Sequence, residues 1–366
     1  MSNKKKIALL NLPIDNNYGG HLQRYALMYA LRKQGLDAVH LNCRPTDAKK
    51  STLRRLKSSI KPMLYLIVNM LRGKFDIREW QYIKCVLNKS PRTDYFYGRY
   101  VKHTRPIYSK KELINYSNFD AYIVGSDQVW RAPMAAYHYG IGTYYFDYLD
   151  KDKLRYAYGV SLGVSTNEMS QEEIERLGDK YKLFRYVSVR EKSALHLFDE
   201  YGWNHPQAKI VLDPTLLLDK QHYIRLIKST YTTPSKGDLF CYILDEAEEK
   251  NDTIKKIARE KNLVPYYITS QTDCSVEQWL RSFWDAKFVI TDSFHGLVLS
   301  LIFNKPFYLF YNKERGNARF ESIMQILEVN TNQLNYDSIN KNLKEWREKS
   351  WREIRQICDD IKSIQK

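Results

Sequence analysis

The sequence lacks an apolar run long enough to cross a bilayer as a helix. Its longest uncharged apolar stretch, MLYLIVNML at 63–71, falls far short of the roughly 20 residues that a transmembrane helix needs. The basic start MSNKKKIALL is followed by neither a longer apolar core nor a small-residue cleavage site, so it predicts a first strand and not a signal peptide.

Cysteine and histidine patterns typical of disulfide frameworks and metal sites are also missing. The five cysteines are scattered and odd in number, and they form no C-x-x-C pair. This favours reduced thiols and a cytoplasmic location. The eight histidines show no H-x-x-H or H-E-x-x-H spacing, so we expect no bound metal.

Acidic residues are absent from 49–74, where eight lysines and arginines account for half of the net charge of +16. Apolar residues lie between them at helical spacing, as in helices that bind anionic membrane surfaces. Pro62 would kink such a helix and limit its insertion, so we expect weak, peripheral binding without a stable anchor. The alternative is an amphipathic helix packed on its own domain. Nucleic-acid binding is not expected, because no reader motif accompanies the charge.

Apolar patterning along the chain of 366 residues predicts strands that alternate with helices of ten or more residues. Such alternation is typical of parallel sheets covered by helices on both faces. Two series of it predict two doubly wound, Rossmann-like α/β domains facing a cleft. We place these domains at 1–175 and 176–337, with the basic segment in an insert at about 47–100 and a closing helix within 338–366.

Four polar loops follow predicted strands, namely NNYGG, GSDQVW, VSVREKS and TDSFHG. Ligands of open parallel sheets bind beyond the carboxyl ends of the strands, so these loops would face one another across the cleft. Helix N-termini in these loops would offer backbone N–H groups and the positive end of the helix dipole, which can bind a phosphate or carboxylate group. Gly19 and Gly20 would allow a close backbone approach, whereas Gly296 either makes room for a ligand or serves packing. His295 is either a site residue or a structural hydrogen bonder.

The chain resembles the polysaccharide pyruvyl transferase family in seven segments that occur in the family's order. They are NYGGHLQRYAL, YIVGSDQVW, YAYGVSLG, VSVREKS, VLDPTLLL, TDSFHGLVLSLIFNKPF and RGNARFES. The resemblance covers nearly the whole chain except the basic insert and the C-terminal tail. It implies a GT-B-like pair of domains. It also implies transfer of a pyruvyl group from phosphoenolpyruvate to two hydroxyls of a sugar, forming a cyclic ketal in a bacterial capsular or exopolysaccharide precursor, without a cofactor.

The resemblance also implies a donor side in the second domain. His295 matches a family histidine proposed for acid–base chemistry, and Arg190 matches an arginine that pairs with the donor's anionic groups. The predicted catalytic residues are therefore His295 and Arg190. Many members carry an arginine two residues before the histidine. This chain has Ser293 there, which cannot supply the charge or the fork of a guanidinium. The loop KERGNARF offers Lys313, Arg315 and Arg319 as substitutes, of which Arg319 is favoured. The alternative for this loop is a solvated, charged turn. The predicted donor-binding set is Arg190, Ser293, Gly296, Arg315 and Arg319.

The acceptor side is expected in the first domain, where polar residues follow its strands. A carboxylate and an amide suit sugar hydroxyls, and an indole suits the apolar face of a sugar ring. The alternative for the GSDQVW residues is capping of the strand end. The predicted acceptor-binding set is Asn17, Tyr18, Gly19, Gly20, Ser126, Asp127, Gln128 and Trp130.

An imidazole that titrates near neutral pH suits ketal formation, because the reaction needs a proton at the donor's methylene carbon and removal of hydroxyl protons. The acceptor implied is a sugar on a lipid-linked oligosaccharide. Two other classes stay open. A GT-B glycosyltransferase using a nucleotide sugar would share the architecture, and a catalytically silent glycan-binding protein would fit Ser293.

Overall fold

The protein is described here from a computed structural model. The residues it describes are 4–45, 92–136, 139–230, 232–245, 247–269, 272, 274–311 and 317–364. The basic segment at 49–74 lies outside these residues, and so does Arg315.

Six parallel strands form the first sheet. They are β1 (Lys6–Leu10), β2 (Asp37–His40), β3 (Ala121–Asp127), β4 (Arg155–Val160), β5 (Phe184–Val189) and β6 (Lys209–Ile210). Their order is β2-β1-β3-β4-β5-β6. The central strands β3 and β4 are buried almost throughout, as expected for apolar runs in a sheet covered on both faces.

Four further parallel strands form the second sheet. They are β7 (Leu239–Tyr242), β8 (Pro265–Ile268), β9 (Phe288–Thr291) and β10 (Phe307–Leu309), in the order β10-β9-β7-β8. Each strand predicted from an apolar run is present. The α/β class with two parallel sheets is therefore confirmed. We call the sheets with their flanking helices the first and second units.

The first sheet extends beyond the boundary that we predicted at 175/176. Strand β5 pairs with β4, and β6 pairs with β5, so the chain stays in the first unit up to 210. Alternation of strands and helices does not reveal which sheet a strand joins, because a parallel crossover looks alike within one sheet or between two. The boundary is corrected to the segment between β6 and β7.

Helices cover both sheets. They are α1 (Tyr18–Lys33), α2 (Arg92–Tyr100), α3 (Lys110–Leu113), α4 (Ala132–Ala136), α5 (Gln171–Tyr181), α6 (Lys192–Glu200), α7 (Lys220–Lys228), α8 (Glu248–Lys261), α9 (Val276–Asp285), α10 (Phe294–Phe303), α11 (Ala318–Ile326) and α12 (Tyr336–Ser363). A 3₁₀ turn follows β6 at Pro214–Leu217. Within the described ranges, none of these helices has the length and apolar character needed to cross a membrane.

The last helix, α12, joins the two units. Ile339 and Leu343 pack in the core of the second unit, whereas Ile354 and Cys358 pack against β1 and β3 of the first. Midway, the Ser350 hydroxyl accepts a hydrogen bond from the backbone that leads into the 3₁₀ turn, at 2.9 Å. One amphipathic helix therefore buries apolar residues against both units, as the closing helix predicted within 338–366 would do.

Candidate active site

A cleft of about 890 Å³ lies between the two units. The first unit contributes the loop after β1, the start of α1 and the end of β3. The second unit contributes the ends of β7 and β9 and the starts of α10 and α11. Its place beyond the carboxyl ends of parallel strands, and its size, are those of small-molecule sites in α/β proteins.

His295 reaches across the cleft from the first turn of α10 to the first unit. Its ring lies directly over Gly19, where an added Cβ would stand 2.0 Å from Nδ1. Its Nε2 lies 4.0 Å from Asp213 Oδ2 and has no hydrogen-bond partner among the described residues. Gly19, predicted to approach a ligand, instead makes room for the ring.

Burial lowers the pKa of His295 below its ordinary value. The carboxylates of Asp213 and Asp127 oppose this shift, while the guanidinium groups of Arg190 and Arg319 add to it. The ring is therefore neutral near pH 7, with carboxylates close enough to stabilise an imidazolium if one forms. This state suits a general base.

Asp213 is the hub of a buried network behind the cleft. Its Oδ2 accepts hydrogen bonds from Arg190 and from Gln23 Nε2, the latter at 2.6 Å, and one from Ser126 Oγ at 3.3 Å. Its Oδ1 accepts from the backbone N–H and hydroxyl of Thr215 at 2.9 and 2.6 Å. Burial alone would raise the pKa of Asp213, but Arg190 and these donors hold it at about 2.

Sequence reasoning missed Asp213 as a site residue. The signal was an Asp-Pro pair at the end of the apolar run AKIVLD, inside the family-like segment VLDPTLLL. The aspartate caps the 3₁₀ turn Pro214–Leu217, and this fixes its carboxylate beneath His295.

Arg190 follows β5 and lies one layer behind the cleft wall. Its side chain is 2% exposed and forms ion pairs with Asp213 and, at 3.7 Å, with Asp127 Oδ1. Its guanidinium also stacks on Phe294, 5.2 Å from the ring centroid. Arg190, predicted to hold the donor, thus pairs with carboxylates of the protein itself and positions them.

Arg319 lies in the first turn of α11 and lines the cleft. It stacks on Phe294 at 5.3 Å, and its NH1 lies 3.8 Å from Asp127 Oδ1. Burial, and then the like charge of Arg190, lower the pKa of Arg319 to about 10. The side chain remains a cation at neutral pH, beside His295, where we predicted a substitute for the arginine that Ser293 replaces.

Ser293 and Gly296 flank His295 in different ways. Ser293 lines the cleft, and its backbone N–H donates to Thr291 Oγ1 at 3.0 Å. A Cβ on Gly296 would stand 2.1 Å from the same oxygen. Of the two roles considered for Gly296, the structure therefore favours packing, because the glycine lets α10 start close to β9.

Asp127 and Gln128 line the first-unit wall as predicted. Ser126 and Asp127 have positive φ angles of 20° and 80°, a strained conformation for residues with side chains. This turn aims the Asp127 carboxylate at Arg190 and Arg319. Burial raises the pKa of Asp127, but the two arginines outweigh it and the net shift is downward.

Trp130, predicted to bind the acceptor, packs in the core instead. It is 0% exposed, stacks on Tyr145 at 4.6 Å, and donates its indole N–H to the Tyr144 carbonyl at 2.9 Å. Tyr18 lines the cleft and also stacks on Trp279 at 5.3 Å, which inserts α1 into the core of the second unit. A polar loop sequence does not show which of its aromatic rings turn toward the core.

The remaining first-unit predictions divide between the network and the wall. Ser126 is fully buried and belongs to the network of Asp213. Asn17 lines the cleft and caps α1, accepting from Gly20 N–H at 3.0 Å. Arg24, which sequence reasoning missed, also lines the cleft. Its signal was a lone charge on the buried face of α1.

No group of three or more potential metal ligands lies together in the described part of the chain.

Fold and site together define a two-unit α/β protein whose cleft holds a histidine, buried carboxylates and arginines. Residues 17–314 match the polysaccharide pyruvyl transferase profile. The chain therefore belongs to the polysaccharide pyruvyl transferase family. The match includes His295 and Asp213 but ends before Arg319. A comparison with curated protein sequences found no match.

Solved structures with a similar arrangement share little sequence with this chain. One is a putative UDP-N-acetylglucosamine 2-epimerase from Listeria monocytogenes, at 9% identity, 96% and 91% coverage of this and that chain, and a TM-score of 0.46. The UDP-N-acetylglucosamine 2-epimerase from Rickettsia bellii has 8% identity, 98% coverage of both chains and a TM-score of 0.47. An alpha-glucosyltransferase in complex with UDP has 9% identity, 98% and 95% coverage and a TM-score of 0.43. The predicted α/β class, with two parallel sheets facing a cleft and a C-terminal helix, is confirmed by the structure itself.

Proposed function

We propose that this family member transfers a pyruvyl group from phosphoenolpyruvate to two hydroxyls of one sugar in a bacterial capsular or exopolysaccharide precursor. The product is a cyclic ketal, and inorganic phosphate leaves. The observation that carries the proposal is the position of His295, neutral and unpartnered on Nε2, between Asp213 behind it and the cationic Arg319 beside it.

His295 moves protons in this scheme. Its neutral imidazole takes the proton of the first attacking hydroxyl, and the imidazolium returns a proton to the methylene carbon of the donor as the first C–O bond forms. The second hydroxyl then displaces phosphate, and its proton leaves with the phosphate. Asp213 stabilises the imidazolium at 4.0 Å. A positioned acid–base group typically contributes about 10²–10⁴-fold in rate.

In this scheme Arg319 contacts the donor, whereas Arg190 positions other residues. Arg319 lines the cleft and meets the donor's carboxylate or phosphate with charge-assisted hydrogen bonds. Arg190 stays behind the wall and fixes Asp213 and Asp127. Charge placed in advance at a leaving phosphate stabilises the transition state without reorganisation. The scheme uses no cofactor.

The acceptor lies against the first-unit wall in this proposal. Asp127, Gln128 and Asn17 line the cleft there and offer hydrogen bonds to sugar hydroxyls. We propose a lipid-linked oligosaccharide as the acceptor, met at the cytoplasmic face of the membrane. Attraction of the basic segment at 49–74 to anionic lipid would favour this encounter.

The test is product mass. The purified chain is incubated with phosphoenolpyruvate and a candidate lipid-linked oligosaccharide, and the saccharide is examined by mass spectrometry while released phosphate is measured. A gain of the pyruvyl mass matched by phosphate release is expected. Transfer of a sugar from a nucleotide sugar instead would establish the glycosyltransferase alternative. Saccharide binding without any transfer would establish the silent binding protein that Ser293 favours.

A further inference from the structure

Arg24 is a buried guanidinium on the first-unit wall of the cleft, in the second turn of α1. It is 3% exposed. Its NH2 donates to the carbonyl oxygens of Leu12 and Pro13 at 2.8 and 3.2 Å. Its Nε and NH1 have no hydrogen-bond partner among the described residues. A buried cation with unused donors is costly to leave without an anion.

The described residues around Arg24 supply no contacting negative charge. Asp15 and Asp127 act on it only from beyond ion-pair distance, and burial outweighs them, so that the pKa of Arg24 is lowered. Behind it lie His21 and His40, both fully buried. Burial lowers the pKa of His21 to about 3 and that of His40 well below its ordinary value, so these rings are neutral.

The open side of Arg24 faces the start of α1. A Cβ added to Gly20 would lie only 3.2 Å from Arg24 NH1. Because glycine has no Cβ, there is space beside the guanidinium. Helix α1 has 16 residues, and its N-terminal end lines the same cleft. The positive end of its dipole therefore adds to the field of Arg24.

We propose that Arg24 and the first turn of α1 form an anion subsite on the first-unit wall, separate from Arg319, which takes a phosphate or carboxylate group of a bound ligand. The inference rests on the proposed function only for the source of that oxyanion. One source is the donor, phosphoenolpyruvate, and the other is a phosphate carried by the sugar acceptor.

The test is calorimetric titration of the full chain with three probes: inorganic phosphate, phosphoenolpyruvate and glucose 1-phosphate. Arg24→Gln should weaken binding of at least one probe by about tenfold to a hundredfold, the scale of a charge-assisted hydrogen bond. Arg131→Gln is the matched control. Arg131 lines the same wall but already holds Glu168 through two hydrogen bonds of 2.9 Å, so its loss should change binding far less.

The pattern over the probes identifies the source. Loss confined to phosphoenolpyruvate supports a donor subsite, loss confined to glucose 1-phosphate supports an acceptor subsite, and loss for all three supports a general oxyanion subsite. Equal losses in the two variants, unchanged binding in Arg24→Gln, or no binding of any probe to the unaltered protein would overturn the proposal. Because turnover is not measured, a failure to transfer pyruvyl groups leaves this result intact.

A second variant covers the case in which Arg24→Gln fails to fold, judged by circular dichroism. Gly20→Ala keeps the cation but places a methyl group against NH1. Weaker binding of the same probes would support the subsite. Binding equal to that of the unaltered protein would overturn it.

Discussion

The layer behind the cleft and the wall of the cleft differ in the counter-charge that each gives to its arginine. Behind the wall, both oxygens of Asp213 accept hydrogen bonds, and Arg190 forms ion pairs with two carboxylates although its Nε makes no hydrogen bond. On the wall, Arg24 has no ion pair among the described residues, and His295 Nε2 has no hydrogen-bond partner there. Ion pairs within the protein hold this closed layer together, whereas the wall keeps charge and hydrogen-bonding capacity for a ligand.

Arg190 and Arg319 stack on the same phenylalanine, but their pKa values shift in opposite directions. Arg190 and Arg319 stack on Phe294 at 5.2 and 5.3 Å. Burial lowers the pKa of both, but Asp213 and Asp127 outweigh it for Arg190, whose pKa is raised. The pKa of Arg319 is lowered, because burial and the like charge of Arg190 outweigh the attraction of the carboxylates. Counter-charge within the protein therefore favours the cationic form of Arg190 more strongly than that of Arg319.

The largest expected effect comes from opening the closed layer. Asp213→Asn leaves Arg190 buried without its main counter-charge, so we expect a loss of about 3–5 kcal/mol in the free energy of unfolding, measured with urea. Asp127→Asn is the comparison variant. Its arginine contacts are 3.7 and 3.8 Å long, so its loss should be smaller. Equal losses would show that Asp213 is not the hub.

On the wall, His295→Ala should leave the fold intact and lower kcat by about 10²-fold or more. The measured quantity is phosphate release at saturating phosphoenolpyruvate and acceptor. His196→Ala is the control, because His196 is exposed on α6. A folded His295→Ala variant with nearly normal kcat would remove this ring from the proton transfers.

Donor affinity separates Arg319 from Arg190. Arg319→Ala should weaken phosphoenolpyruvate binding by about 1.5–3 kcal/mol, as expected for loss of a charge-assisted hydrogen bond. Arg190→Ala should act mainly on unfolding, because the side chain lies behind the wall. Calorimetric titration of both variants gives the comparison. Unchanged affinity in Arg319→Ala would mean that it does not compensate for Ser293.

Acid should open the closed layer at a defined pH. The pKa of Asp213 is depressed from 3.8 to about 2, so its stabilising contribution is complete above pH 3.8 and is lost as pH falls toward 2. The complete loss is about 2 kcal/mol, of which roughly half occurs above pH 3. Urea unfolding at pH 5, 4 and 3 measures that half. Asp213→Asn should lack this component, and an identical pH dependence in both proteins would contradict the assignment.

The smallest expected effect concerns the contact between the units. Gly19→Ala puts a methyl group where His295 lies, so the ring must move. We expect kcat to fall by at least about tenfold, which is less than for His295→Ala because the displaced imidazole is still present. Gly98→Ala, in α2, is the control, since a Cβ there meets nothing within 4 Å. Full activity in Gly19→Ala would show that the ring tolerates displacement.

Local sequence predicted the elements well and their partners less well. Each strand has its own apolar run, and His295 was found because TDSFHG follows one directly. Asp213 was not found as a site residue, because its partners Gln23, Ser126 and Arg190 are distant in sequence. The domain boundary failed similarly, since membership of a sheet depends on pairing between strands. Trp130 was misassigned because a loop's sequence does not fix the direction of its rings.

His295 lies at the start of α10 in the second unit, whereas Gly19 lies at the start of α1, which follows β1 of the first. The imidazole occupies the space that a Cβ on Gly19 would need, so the ring and the backbone of α1 are in direct contact. If His295 moves protons as proposed, the rate of transfer depends on how closely α10 and α1 pack, and any change that separated these two helix ends would also displace the base.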